Sequence, residues 1–143
     1  MSEPELKGLA LLRELSAEER EAISEELEPA ALAAGEVLFN EGDEADGLVL
    51  LLEGRLRISS RRSGTAGLVG PGAALGALSL VAVGAREATA VAEARCHLLW
   101  LRRPAFRRLV EDAPRAACRL LEAATCEFVS SARQGIELLV PPR

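Results

Sequence analysis

From Ala30 onward the chain is cut into short pieces by glycine. Gly35, Gly42, Gly47, Gly54, Gly64, Gly67, Gly70, Gly72, Gly76 and Gly84 separate apolar runs of only a few residues. Such runs are too short for helices, and turn residues at near-regular spacing are the mark of a sandwich or barrel. The runs themselves read as strands: Glu36-Val37-Leu38-Phe39, Leu48-Val49-Leu50-Leu51-Leu52, the alternating Arg55-Leu56-Arg57-Ile58, then 67–69, 88–91 and 96–101. Asn40-Glu41-Gly42-Asp43 and Glu53-Gly54 are turns, and 61–64 is a polar hairpin tip.

Helical patterns flank this region on both sides. Leu6, Leu9, Leu12 and Leu15 form a stripe, which predicts a helix over 6–15. Ser16 and Glu19 form a capping box that opens a second helix, ended by Pro29, with the acidic cluster of Glu18, Glu19, Glu21, Glu25 and Glu26 as its solvated face. After Arg103, Pro104 fits a first helical turn, and Asp112-Ala113-Pro114 breaks that helix. A longer helix follows over 115–133. Its Ala117, Leu121, Ala124 and Phe128 are spaced four, three and four apart, a seam suited to pairing with a second copy. The alternative is that this face packs on the chain's own strands. Gly135 reads as a helix stop, and 136–140 as a docking strand or a tail over a groove. The expectation is one domain over 1–143: helices at about 6–28, strands at about 30–102, C-terminal helices at about 104–134 and a tail at 135–143.

Composition removes several function classes. With 49% apolar but only 3% aromatic residues, the core must be built of Leu, Val and Ala. The net charge of −5, without a concentrated basic face, argues against DNA as a partner. The N-terminus lacks a basic start and apolar centre, and no run reaches membrane-spanning length, which points to the cytoplasm and to no membrane partner. Arg-, Ala- and Leu-rich usage with a single lysine suggests a bacterial source. Cys96, Cys118 and Cys126 have neither disulfide-frame nor zinc-site spacing, and His97 stands alone in an apolar run, so no metal is expected. No nucleophile motif or carboxylate pair supports an enzyme.

One stretch carries a chemical signal. Residues 68–92 begin as a strand, turn at Gly70-Pro71-Gly72 and pass through small residues around Gly76 that open a short helix. They then reach Arg86-Glu87-Ala88-Thr89. Backbone N–H groups gathered at a helix start, with an arginine able to fork onto a phosphate, make an anion cradle.

These residues resemble the cyclic nucleotide-binding domain of the catabolite-activator and protein-kinase regulatory type. The run from Gly35-Glu36-Val37-Leu38-Phe39 through Gly42-Asp43 and Gly47-Leu48 to Glu53-Gly54-Arg55-Leu56 is similar to its early strands. The stretch with Gly76 and Arg86 is similar to its phosphate-binding cassette, and the resemblance covers about 12–133. It implies a mainly β fold with flanking helices, an eight-stranded jelly-roll barrel with a C-terminal helical subdomain, and a homodimer through the last long helix. It also implies cAMP or cGMP as ligand, held by Gly76, Ala77, Arg86, Glu87, Ala88 and Thr89. Ser130 and Ser131 are the candidates to reach the base, their alternative being polar surface.

The cassette departs from the family pattern. Where the family has Phe-Gly-Glu, this chain has Leu75-Gly76-Ala77, and Glu87 follows Arg86 where the family has Ala or Ser. The lost carboxylate–hydroxyl bond is worth about 1.5–3 kcal/mol. A carboxylate held beside the phosphate adds roughly 1–4 kcal/mol of repulsion. If Glu87 points away, only the first loss applies; it can also neutralise Arg86. The expectation is therefore a stand-alone regulatory or adaptor module with lost or weakened cAMP and cGMP binding, acting through an unidentified protein partner. The alternative is a sensor in which Arg86 still binds the cyclic phosphate and repositions the C-terminal helices.

Overall fold

The computed structural model describes residues 6–139, with the backbone alone at Thr65, Leu78 and 127–139. Ten strands appear among them: β1 Glu28–Leu32, β2 Val37–Phe39, β3 Glu44–Ala45, β4 Gly47–Glu53, β5 Leu56–Ser60, β6 Thr65–Val69, β7 Ala74–Leu75, β8 Gly84–Ala85, β9 Thr89–Ala92 and β10 Cys96–Arg102. They form one sheet in the order β1-β10-β4-β7, a second in the order β2-β9-β5-β6, and a small pair β3-β8. All pairings are antiparallel. The mainly β, jelly-roll-like architecture is as expected. The eight strands of the two larger sheets stay in separate sheets and do not close into one barrel, and β3 and β8 are additional.

The period-two alternation of strands explains the layering. On β4 and β10, Leu48, Leu50, Leu99 and Leu101 face a cluster shared with the helices. Val49, Leu51, Leu98 and Trp100 face the second sheet, where they meet Leu56, Ile58, Phe39 and Ala92. The first sheet is thus a middle layer, apolar on both faces, which is why Leu48-Val49-Leu50-Leu51-Leu52 and Leu98-Leu99-Trp100-Leu101 are unbroken in sequence. Each leucine buried there contributes about 1.5–3 kcal/mol.

The N-terminal helices differ from expectation. In place of one continuous helix over 6–15, the backbone is helical at 6–7, turns at 8–9 and forms a 3₁₀ turn, Ala10–Leu12. Leu6, Leu9, Leu12 and Leu15 are all buried, as is Leu11, so the leucines go inward although no continuous helix carries them. The Ala10 N–H donates to the Gly72 carbonyl (3.2 Å), and the buried Arg20 donates to the Leu12 carbonyl (3.3 Å) and to that of Leu15. These bonds fix the segment against its neighbours, while its own N–H groups at Leu9, Leu12 and Leu15 close tight turns three residues back. Helix α1, Ala17–Ser24, starts at the predicted capping box: Ser16 N–H to Glu19 Oε1 is 2.8 Å and Glu19 N–H to Ser16 Oγ is 3.2 Å. Glu19 is buried at this cap and Glu26 is half-buried and paired with Arg108, while Glu18, Glu21 and Glu25 are solvated as expected. The helix ends before Pro29, which lies inside β1. That strand is a sheet edge, where a missing N–H is tolerated.

At the C-terminal end, α2 spans Arg103–Asp112 and α3 spans Pro114–Leu139. Pro114 opens α3, as a proline can at a first turn. Gly135 does not stop this helix, so the expected strand or tail begins as helix; a glycine within a helix costs only about 1 kcal/mol. Residues 140–143 of that tail lie outside the described residues.

On α3, Ala117 and Ala124 are buried within the chain's own core and Leu121 packs against the same cluster, the alternative left open for this seam. The face turned outward carries Cys118, Glu122, Thr125 and Cys126. The side chain of Phe128 lies outside the described residues.

Candidate anion site

The cassette runs from β7 of the first sheet, through a 3₁₀ turn and β8, to β9 of the second. After β7, Gly76 takes a left-handed backbone (φ +79°) and leads into the 3₁₀ turn Ala77–Leu80. The left-handed backbone alone favours glycine, and space demands it as well. A Cβ at Gly76 would collide with the guanidinium of Arg86 and sit 3.1 Å from the Gly47 carbonyl oxygen.

Arg86 is 6% exposed. Its backbone is stitched to the β2–β3 turn in both directions: Arg86 N–H to the Asp43 carbonyl is 2.7 Å, and Gly42 N–H to the Arg86 carbonyl is 2.9 Å. Its Nη2 donates to the Gly47 carbonyl (3.0 Å) and lies 3.6 Å from Asp46 Oδ1. The guanidinium carbon is 4.3 Å from the centre of the Phe39 ring and 5.9 Å from that of Trp100. Two of the four Phe and Trp residues in the chain thus cover one cation, and such contacts contribute about 2 kcal/mol when water is excluded. Burial lowers the Arg86 pKa from its ordinary value; the Asp46 carboxylate opposes this, and the nearby charge of Arg102 reinforces it.

A second layer of contacts ties the cassette to the helical subdomain. The buried Ser79 hydroxyl lies 2.6 Å from the Gly47 carbonyl and 2.5 Å from that of Gly76, and its single proton serves one of them at a time. Arg103, the first residue of α2, donates Nε to the Ser79 carbonyl (2.9 Å) and Nη2 to the carbonyls of Ala45 (2.6 Å) and Ala82 (3.3 Å). Its backbone N–H reaches the Asp46 carbonyl at 2.9 Å. Asp46 also pairs with Arg102 (2.9 Å), which in turn bonds Glu28 (2.8 Å) and lies over Trp100 at 4.4 Å. Asp46 therefore stands between the cassette arginine and the arginine that ends β10.

Of the residues singled out from sequence, Gly76 and Arg86 come together around this point, while Ala77 packs against the core shared with the helices. Glu87 is exposed while Arg86 is buried, so the two neighbours face opposite ways. The carboxylate near Arg86 is that of Asp46, not Glu87. Ala88 and Thr89 are half-buried, and the Thr89 hydroxyl accepts the Glu41 N–H at 2.8 Å, which engages it in the fold. The side chains of Ser130 and Ser131 lie outside the described residues. Sequence reasoning missed Phe39, Asp46, Gly47, Ser79, Trp100 and Arg103. Asp46-Gly47 lies in the quoted glycine-marked run, but nothing in a linear sequence tells that its carbonyl meets an arginine thirty-nine positions away.

The family model described as "Cyclic nucleotide-binding domain" matches residues 29–113, more than half of the chain. The cyclic AMP receptor protein of Thermus thermophilus is 31% identical over 119 residues, covering 80% of this chain and 55% of that protein. A "CRP-like cAMP-activated global transcriptional regulator" of Mycobacterium tuberculosis is 27% identical over 104 residues, 70% of this chain and 46% of that protein. The chain thus spans about half the length of these relatives. Among solved structures, the N-terminal domain of a transcriptional regulator from Streptomyces coelicolor superposes with a TM-score of 0.76 at 28% identity, covering 89% of this chain and 94% of that one. The catabolite activator protein of Thermus thermophilus gives 0.75 at 28% identity, with 91% and 62% covered. With its glycine-marked strands, its cassette and its buried arginine in the expected order, the chain belongs to the cyclic nucleotide-binding domain family.

Proposed function

We propose that this chain is a regulatory module whose cassette binds cAMP or cGMP weakly or not at all, and which acts in the cytoplasm through protein contacts of its C-terminal helices. The observation that carries this reading is the state of Arg86. Its guanidinium is buried beneath Phe39 and Trp100, hydrogen-bonded to Gly47 and close to Asp46. A ligand phosphate would have to compete with these internal partners. Ala77 offers no carboxylate to a ribose hydroxyl in return. Among the described residues no helix is long and apolar enough to cross a membrane, and the acidic net charge gives DNA no basic face. The outward face of α3, with Cys118, Glu122 and Thr125, is the surface left for a partner or a second copy once Ala117 and Ala124 are buried.

A second reading, a nucleotide sensor, is favoured by one observation. Glu87 turns outward and adds no repulsion, and the missing carboxylate at position 77 weakens the site by about 1.5–3 kcal/mol. Titration calorimetry with cAMP, cGMP and cyclic dinucleotides decides between the two. The first reading expects no heat from micromolar ligand, and at least about a tenfold gain in affinity for Ala77→Glu combined with Glu87→Ala. Micromolar binding by the unaltered protein would replace it with the sensor.

A further inference from the structure

An arginine carries more N–H donors than a single acceptor can use. Arg86 is 6% exposed, yet its side chain makes one hydrogen bond among the described residues, from Nη2 to the Gly47 carbonyl. Buried donors ordinarily find partners, and a carboxylate that could serve them is at hand. Asp46 Oδ1 is 3.6 Å from Nη2 of Arg86, too long for a hydrogen bond. Asp46 Oδ2 instead accepts Nη1 of Arg102 at 2.9 Å. Asp46 thus gives its bond to Arg102 and leaves Arg86 with donors unspent.

The contacts of Arg102 explain why the bond goes there. Arg102 closes β10 and stands opposite Gly47 in the sheet register. Besides Asp46 it holds Glu28 of β1, through Nε at 2.8 Å, and its guanidinium lies over the Trp100 ring at 4.4 Å. Arg102 is therefore anchored from the strands on either side of β10. The backbone of Asp46 is fixed as well, because its carbonyl accepts the Arg103 N–H at 2.9 Å. Only the Asp46 carboxylate has room to turn from one arginine to the other.

We propose that Arg102 is a positioning residue for the cassette: by keeping the Asp46 carboxylate in its own bond, it leaves Arg86 open to an incoming oxyanion, here the cyclic phosphate. Without Arg102 the carboxylate turns to Arg86 and takes up its unspent donors. The Asp46 side chain is 53% exposed, so screening keeps each effect small. The proposal rests on Arg86 as the group that meets a phosphate, and adds what sets the strength of that contact.

Two measurements on the full chain test this. The first needs no ligand. Asp46→Asn should lower Tm by about 1–3 °C in the unaltered protein, and by a similar amount in an Arg102→Met background, where the carboxylate serves Arg86. A carboxylate that served Arg102 alone would cost nothing in that background, and this result would overturn the proposal whether or not nucleotide binds. The second is affinity for millimolar cAMP, read from the backbone amide NMR shifts of Gly76 and Arg86. Arg102→Met should weaken it at least about threefold and Asp46→Asn should tighten it by about the same factor, whereas loss of a merely structural ion pair would move both the same way. Arg102→Lys, which can still hold a carboxylate, should keep most of the affinity. With Asp46→Asn already in place, Arg102→Met should have little further effect. Equal weakening with and without Asp46 would assign the effect to the charge of Arg102 itself and overturn the proposal. Absence of binding in every variant would sink the sensor reading, while the melting comparison still decides the role of Arg102.

Discussion

Replacing Gly76 by alanine tests whether the cassette is built around Arg86. Two separate costs are expected. The first is conformational: an L-residue at φ +79° is disfavoured by about 1–2 kcal/mol. The second is steric. The new Cβ would occupy the place of the Arg86 guanidinium, which must shift and give up its bond to the Gly47 carbonyl. A hydrogen bond from a charged group is worth about 1.5–3 kcal/mol. The sum is roughly 2.5–5 kcal/mol, and for a domain of this length about 1 kcal/mol corresponds to roughly 3 °C in Tm, so a fall of about 8–15 °C is expected.

Gly35 and Gly67 separate the two costs. Gly35 has φ +90° with nothing within 4 Å of an added Cβ, so Gly35→Ala should lose only the conformational part, about 3–6 °C. Gly67 has neither strain nor a neighbour, and Gly67→Ala should be neutral or gain up to about 1 kcal/mol from the unfolded state. Thermal and urea denaturation followed by circular dichroism measure all three. The sharper test is coupling. In an Arg86→Met background, Gly76→Ala should cost clearly less than in the unaltered protein and approach Gly35→Ala, because only the 3.1 Å approach to the Gly47 carbonyl remains. Equal costs for Gly76→Ala and Gly35→Ala in the unaltered protein would refute the steric argument and with it the idea that Arg86 packs over Gly76.

Other substitutions probe the surrounding structure. Ser16→Ala removes the N-cap of α1 and should cost about 1 kcal/mol in urea unfolding. The Glu41 carboxyl lies below its ordinary pKa because the backbone N–H groups of Arg61 and Arg62 stabilise its charge, the Arg61 bond most of all. A lowered folded pKa gives stability that is present above the unfolded value and lost as pH falls through the folded one. Glu41→Gln should therefore flatten the fall of Tm below the ordinary carboxylate pKa; an unchanged acid limb would show that this contact does not persist in solution. Arg103→Met removes three bonds to the cassette and β3 carbonyls, two of them at 2.9 Å or less. It should cost about 2–3 kcal/mol and speed amide exchange across 77–85 while β4 and β10 stay protected. Uniform exchange throughout would mean that Arg103 does not fasten the cassette locally.

Much of the fold was legible because its signals are local. Positive-φ turns at Gly42, Gly54 and Gly72 need glycine, and glycine is visible in a sequence. The capping box at Ser16 lies within four residues. Buried strands such as β4 announce themselves as unbroken apolar runs. Two-residue strands do not: β7 exists because the longer β4 holds it, β3 and β8 pair only with each other, and none of the three carries a strand pattern of its own. β1 was hidden behind Pro29, which is tolerated only because that strand falls at an edge, and edge position is a property of the sheet.

The sequence by itself determined the family, the order of elements, the place of Gly76 and Arg86, and the absence of a carboxylate at Ala77. Those are facts of residue type at fixed spacing. Only the tertiary structure decided what Arg86 touches and which way Glu87 faces. It also gave the carboxylate near Arg86 to Asp46, and showed that Ala117 and Ala124 serve their own core. These outcomes depend on side chains brought together from distant positions, where burial strengthens charge and hydrogen bonding and close packing leaves each group one place to lie.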